Sequence, residues 1–259
     1  MIDAGTAAPF IRIERLRKSY GAAGHGILAV SEVTFDVQNG EFVSLLGPSG
    51  CGKSTLLKIV AGLLQQDEGT LSIGNPDNPF NASHDIGMVF QQPLLLKWRT
   101  VMENVLLPSE ILGLPHAECR ERAKDLLALV GLSAFHDRRP YELSGGMQQR
   151  AAIARALVHD PKLVLMDEPF GALDALTRER MNVELRRIWQ QSGKTILFVT
   201  HSISEAVFLG TRVIVLTSRP ARMAANIPVD LPAERDLAIK THEAFGEYTR
   251  KIYGLFDMN

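Results

Sequence analysis

Gly47-Pro48-Ser49-Gly50-Cys51-Gly52-Lys53-Ser54-Thr55 decides how this chain is read. It matches G-x-x-x-x-G-K-[ST], the P-loop that cradles phosphates. Glycines let the backbone wrap so that several N–H groups point inward at an anion. The helix that follows adds the positive end of its dipole. In this pattern Lys53 reaches the β- and γ-phosphates and the Ser54 hydroxyl ligates Mg²⁺. The plain alternative is a glycine-rich turn with an incidental lysine. A chance match in a chain of this length is on the order of 1 in 100. Cys51 reads as a small side chain tolerated in the loop rather than a nucleophile, since thiol reactivity needs a perturbed pKa.

Working outward, Glu41 to Leu46 is apolar and ends at the loop, and a helix is predicted from Lys53 to about Leu63. Strand, loop and helix form the first half of an α/β unit. Upstream, Phe10 to Tyr20 alternates apolar and charged residues as a half-exposed strand does. Val33 to Val37 reads as another strand, and Asn39-Gly40 as the turn after it. Downstream, Thr100 to Val130 is periodic in the helical sense, with Leu126, Leu127, Leu129 and Val130 on one buried face. No strand is expected to interrupt this stretch, which predicts a helical subdomain inserted in the α/β core at about 92–160. A helix is expected from near Ser144 to about His159. The α/β pattern then returns: a helix from about Ala175 to Gln191, strands at Thr195–Thr200 and Arg212–Thr217, and beyond them Pro220, Pro228, Pro232 and a charged helical tail, Ala238 to Tyr253.

Leu163-Val164-Leu165-Met166-Asp167-Glu168-Pro169 is the second chemical element. The apolar run suits a parallel strand buried on both faces. Its two carboxylates emerge at the C-terminal end, where open α/β sheets bind their ligands. Asp167 suits the Walker-B role of holding Mg²⁺. Glu168 suits a general base for an attacking water. A solvated acidic pair capping a strand is the alternative, and the P-loop upstream counts against it.

Composition narrows the class. Hydrophobic residues are 46% and charged residues 22% of 259, ordinary for a globular protein with a sizeable core. A formal net charge of −1 gives no support for nucleic-acid binding through excess positive charge. Cys51 and Cys119 make neither a disulfide framework nor a metal cluster, so a reducing compartment is expected. No apolar stretch reaches the roughly 18 residues a bilayer span needs. Met1 to Phe10 lacks the pattern of a signal peptide. If the protein serves a membrane process, it must do so by docking.

Leu143-Ser144-Gly145-Gly146-Met147-Gln148-Gln149-Arg150 lies between the P-loop and the Walker-B strand. It resembles the signature motif of ABC ATPases, and the resemblance extends from about Phe10 to Arg219. It implies a P-loop core of mixed and parallel sheet with helices, an antiparallel β subdomain and the inserted helical subdomain. The implied division is a tail at 1–9, an ABC ATPase domain at 10–219 and a C-terminal extension at 220–259. Ser144, Gly145 and Gly146 would contact ATP across a head-to-tail homodimer. Gly47 through Thr55 would hold its phosphates. Tyr20 looks like the aromatic that stacks on adenine, Gln91 like the glutamine that contacts Mg²⁺ and the attacking water, Asp174 like the inter-subunit aspartate, and His201 like the switch histidine. Met147 departs from the usual glutamine; the contacts expected to matter are the Ser144 hydroxyl, the Gly146 N–H and the helix dipole, so activity is expected to survive.

The resemblance also implies partners. ATP and Mg²⁺ are the expected ligands. An integral membrane permease is the expected docking partner, through the segment from Gln91 to Leu107, with an extracytoplasmic solute-binding protein acting indirectly. The place implied is the cytoplasmic face of the inner membrane. Leu94-Leu95-Leu96-Lys97-Trp98-Arg99-Thr100-Val101, Thr217-Ser218-Arg219-Pro220-Ala221-Arg222 and Ile227-Pro228-Val229-Asp230-Leu231-Pro232 are similar to segments of the nitrate, sulfonate and taurine importer ATPases. An ABC-type ATPase acting on ribosomes or nucleic acid is the rival; such proteins usually carry two cassettes, a long coiled-coil insert or zinc cysteines, which this sequence lacks.

Overall fold

The computed structural model describes residues 8–21, 26–74, 79–171 and 173–257. Most of the expected loose tail at 1–9 therefore lies outside the described residues, as does Ala172. In chain order the elements are β1 (Ile11–Tyr20), β2 (Ile27–Val37), β3 (Phe42–Leu46), α1 (Lys53–Val60), β4 (Glu68–Ile73), α2 (Ala82–Asp85), β5 (Ile86–Val89), α3 (Val101–Ile111), α4 (His116–Leu129), α5 (Gly145–Leu157), β6 (Leu163–Asp167), α6 (Ala175–Ser192), β7 (Thr195–Thr200), α7 (Ile203–Leu209), β8 (Arg212–Leu216), β9 (Met223–Pro228) and α8 (Glu243–Asp257).

Two sheets organise them. One has the order β5-β6-β7-β3-β8-β9. Its first five strands run parallel and β9 closes the edge antiparallel to β8. The other, β2-β1-β4, is antiparallel throughout.

The period of two in the parallel strands builds two cores at once, because successive side chains point to opposite faces. Phe42, Val164, Met166, Ile196, Phe198, Val213 and Val215 pack on the face covered by α6, α7 and α8. Val43, Leu45, Leu163, Leu165, Leu197, Val199, Ile214 and Leu216 pack on the opposite face, against α1 and the antiparallel sheet. Both faces of the strands are covered, which is why their sequences read as continuous apolar runs.

The helical unit has a third core, with Val101, Val105, Ala123, Leu127, Leu143, Ala151, Ala154 and Val158. The predicted helical stretch from Thr100 to Val130 is two helices. They break at 112–115, where Gly113 has φ +65° and Pro115 precedes the second helix. Thr100 starts α3 with a capping box shared with Glu103. α5 belongs to two cores: Ala151, Ala154 and Val158 face the helical unit, while Ile153, Ala156 and Leu157 face the sheet. One rigid helix thus ties the insert to the strand ends.

The segment from residue 220 is continuous with the core. β9 pairs with β8 from Arg212↔Pro228 to Leu216↔Met223. Phe245 and Ile252 of α8 are buried in the main core. Arg235 is buried and donates to the carbonyls of Val207, Phe208 and Gly210 at the end of α7. These guanidinium donors satisfy the orphan carbonyls of a helix terminus.

Candidate functional site

The P-loop follows β3, the middle strand between β7 and β8, and leads into α1. Gly52 shows why glycine is required. Its φ is +124°, and a Cβ there would stand 2.6 Å from the Ala29 carbonyl oxygen. Lys53 is almost fully buried, and its ammonium donates to the carbonyls of Gly47 at 2.8 Å and Pro48 at 2.9 Å. The lysine therefore braces the curve of the loop while its charge faces Glu168, whose Oε1 is 3.5 Å away.

Ser54 Oγ donates to Asp167 Oδ1 at 2.8 Å, joining the loop to the end of β6. Burial pushes the Asp167 carboxyl up, the Ser54 hydrogen bond opposes this, and the neighbouring Glu168 charge adds to it. A hydroxyl and a carboxylate in contact are hard oxygen donors of the kind Mg²⁺ accepts. Glu168 has φ +45°, a left-handed backbone for a residue with a side chain. Its Oε2 lies 2.9 Å from His201 Nδ1. Lys53, Ser54, Asp167, Glu168 and His201 thus converge at the C-terminal ends of β3, β6 and β7. Cys51 is buried, and its thiol is pushed up chiefly by that burial, with Lys53 opposing. It packs in the loop as the sequence suggested, with its Sγ 3.0 Å from where a Cβ on Gly47 would stand.

The remaining expected residues lie around this centre. Tyr20 ends β1 with its ring partly exposed and its Oη 3.2 Å from Thr55 Oγ1, which places an aromatic face beside the start of α1. Gln91 is exposed in the loop after β5, the strand next to β6. Asp174 caps α6: its Oδ1 accepts from Thr177 N at 3.0 Å, which holds the carboxyl below its usual range. Ser144 caps α5 in the same way, accepting from Met147 N at 3.3 Å. Ser144 and Gly145 are exposed, and among the described residues no hydrogen bond or ion pair joins them to the P-loop of their own chain. Gly146 lies against Leu173, where an added Cβ would stand 3.0 Å from Cδ2. Met147 packs into the helical core, so the departure from glutamine is a packing choice away from the exposed helix end.

Several positioning groups escaped the sequence reading. Gln149 is buried and donates to the Phe90 carbonyl at 3.0 Å, and Arg155 donates to Pro93 and Leu94 carbonyls at 2.7 and 2.8 Å. Helix α5 therefore grips the loop on both sides of Gln91. Thr200, Ser202 and Glu205 knot the segment around His201. Ser202-Ile203-Ser204-Glu205 carries the [ST]-x-x-[DE] pattern that announces a helix start, and that signal was available.

Comparisons with known proteins find a family model, relatives and solved structures that this chain resembles. The family model described as ABC transporter matches residues 30–171. An uncharacterized ABC transporter ATP-binding protein of Methanocaldococcus jannaschii is 46% identical over 245 residues, 95% of this chain and 90% of that one. A taurine import ATP-binding protein of Roseobacter denitrificans is 44% identical over 236 residues, 90% of this chain and 88% of its own. Among solved structures, a dimeric ATP-binding cassette in a post-hydrolysis state, bound to ADP and Pi, superposes with a TM-score of 0.75 at 35% identity, covering 86% of this chain and all of the other.

Proposed function

The chain belongs to the ABC transporter family of ATP-binding proteins, whose activity is ATP hydrolysis, and from that premise we propose that it is the motor subunit of an importer. It works as a head-to-tail homodimer on a membrane permease. The solute is a small anion of the taurine, sulfonate or nitrate kind, delivered by an extracytoplasmic binding protein. The protein sits at the cytoplasmic face of the inner membrane by docking. No helix among the described residues is long and apolar enough to cross a bilayer.

The site chemistry supports this reading. Glu168 accepts the proton of the water that attacks the γ-phosphoryl group, and His201, 2.9 Å away, holds the carboxylate toward that water. Lys53 turns from the loop carbonyls toward the β- and γ-phosphates. Ser54 and Asp167, with Gln91, would hold Mg²⁺, which neutralises charge on the transferred group. Tyr20 offers its ring to adenine. Ser144 and Gly145, exposed at the positive end of α5, and the partly buried Gly146 complete the partner copy's site. Asp174 faces that partner. Catalysis is mostly positioning and charge stabilisation, so it waits for closure.

The observation that carries the transport reading is an exposed apolar surface beside Gln91. Leu94 is 55%, Trp98 71% and Ile111 74% exposed. Leu94 and Ile111 line a groove with Met88, Phe90, Leu107 and Pro108. Exposed apolar side chains along one groove mark a partner surface, and Trp98 lies in the same loop, four residues after Leu94. Because Arg155 and Gln149 pin the same loop to α5, a partner seated there acts on Ser144 and Gln91 together. The relatives named for taurine import support the choice of solute class. Reconstitution with a permease and binding protein from the host tests it. Uptake of taurine, an alkanesulfonate or nitrate that requires ATP and Glu168 is expected; ATP-independent uptake, or efflux, contradicts it.

A further inference from the structure

We propose that Glu205, acting with Arg178, is a positioning residue for hydrolysis, closing a ring of contacts that fixes Glu168 and His201 in register. The proposal rests on the assignment of those two residues to hydrolysis and goes beyond it.

On one side, Glu205 holds both neighbours of His201. The Thr200 hydroxyl donates to Glu205 Oε2 at 2.6 Å. Thr200 Oγ1 in turn accepts from Ser202 N at 3.0 Å, and Ser202 Oγ accepts from Glu205 N at 3.3 Å. On the other side, Glu205 Oε1 lies 3.7 Å from Arg178 Nε. Arg178 donates to the Phe170 carbonyl at 3.3 Å and the Leu173 carbonyl at 2.9 Å. Those carbonyls belong to the segment running from Glu168 to Asp174. His201 then meets Glu168 at 2.9 Å and the circuit is complete.

Two features show that the ring is more than a surface ion pair. Glu205 is only 7% exposed. A buried carboxylate is costly unless charge and hydrogen bonds compensate it; burial pushes the Glu205 carboxyl up, and the Thr200 hydrogen bond and the Arg178 charge oppose this. Glu168 also sits at φ +45°. A left-handed residue with a side chain persists only where its surroundings over-determine it. The surroundings are Glu168 N donating to Val199 O at 3.0 Å, Gly171 N donating to Glu168 O at 3.1 Å, and the grip of Arg178 just beyond. Arg178 also stands in the first turn of α6, its N–H donating to the Asp174 carbonyl at 2.9 Å. A displacement of Asp174 when a second copy closes would therefore reach Glu205, and through Thr200 and Ser202 the switch histidine.

The test uses the full chain with Glu205→Gln, Arg178→Gln and their combination, beside Glu168→Gln and His201→Ala. Nucleotide affinity, kcat, residual single-turnover rate and Tm are read on each. Glu205→Gln keeps an acceptor for Thr200 but removes the charge. The expected result is a kcat lower by about tenfold or more, since small misplacements near the reacting atoms are expensive, with nucleotide affinity and Tm near wild type. The double variant should be no worse than the worse single, because the two act as one unit. Adding Glu205→Gln to His201→Ala should cost less than the same change in the wild-type background, because the branch through His201 is already gone. Normal kcat in both single variants, independent multiplication with His201→Ala, or a loss explained by unfolding at the assay temperature would overturn the proposal. If His201→Ala and Glu168→Gln hydrolyse ATP normally, the underlying assignment fails instead, and the proposal with it.

Discussion

Replacing Glu168 by glutamine separates the chemistry of the site from its architecture. The backbone of residue 168 is held without its side chain, by Glu168 N to Val199 O at 3.0 Å and Gly171 N to Glu168 O at 3.1 Å. Lys53 remains anchored on the Gly47 and Pro48 carbonyls. The P-loop and the strand end should therefore keep their shape. What is lost is a carboxylate 2.9 Å from His201 and 3.5 Å from Lys53. An amide cannot take a proton from water, and a positioned general base contributes about 10²–10⁴ in rate. That range corresponds to about 3–5 kcal/mol in the barrier. Removing the negative charge also relieves repulsion toward the γ-phosphate, so ATP binding should hold or tighten. Phosphate release measured in a single turnover should slow by that factor, while size-exclusion chromatography with ATP should show a dimer that persists. Unchanged turnover would refute the assignment of Glu168 as base.

Other perturbations probe different links. Lys53→Ala should abolish high-affinity ATP binding, read by calorimetry, because the loop loses its brace and the proposed phosphate contact; full-strength binding contradicts the P-loop assignment. Ser144→Arg should leave ATP binding to a single chain intact and block hydrolysis if the exposed end of α5 serves the partner's site as proposed; normal ATPase activity argues against a shared site. Asn182 is fully buried, and its amide finds no hydrogen-bond partner among the described residues. Asn182→Leu should therefore stabilise the fold by about 1–3 kcal/mol, seen as a Tm rise of roughly 2–4 °C per kcal/mol; a lowered Tm would show that the amide is satisfied after all.

What could be read from sequence was what is contiguous. The phosphate loop, the β6 run with its two carboxylates and the helix-capping Ser144 each lie within a few residues, and each carries a periodicity or a glycine pattern. The three strands that escaped lack such a signal. β5 has only four residues, Ile86–Val89. β4 is mostly exposed, and its alternation rests on only two apolar residues, Leu71 and Ile73. β9 ends in Pro228, which a sheet accepts only at an edge. The break between α3 and α4 was legible in Leu112-Gly113-Leu114-Pro115, a glycine and proline pair that punctuates a helix. The ring through Arg178 and Glu205 was not legible as a unit. It joins residues from three segments, and only the fold brings them together.

Affinity purification of the tagged chain from detergent-solubilised membranes of its own host, beside a Trp98→Glu variant, tests the transporter account most directly. The account predicts that a multi-spanning permease copurifies with the wild-type chain and is lost with the variant, because Trp98 is 71% exposed on the proposed docking surface. Ribosomal or DNA-associated partners with no permease would leave the ATPase chemistry standing and contradict the role in transport.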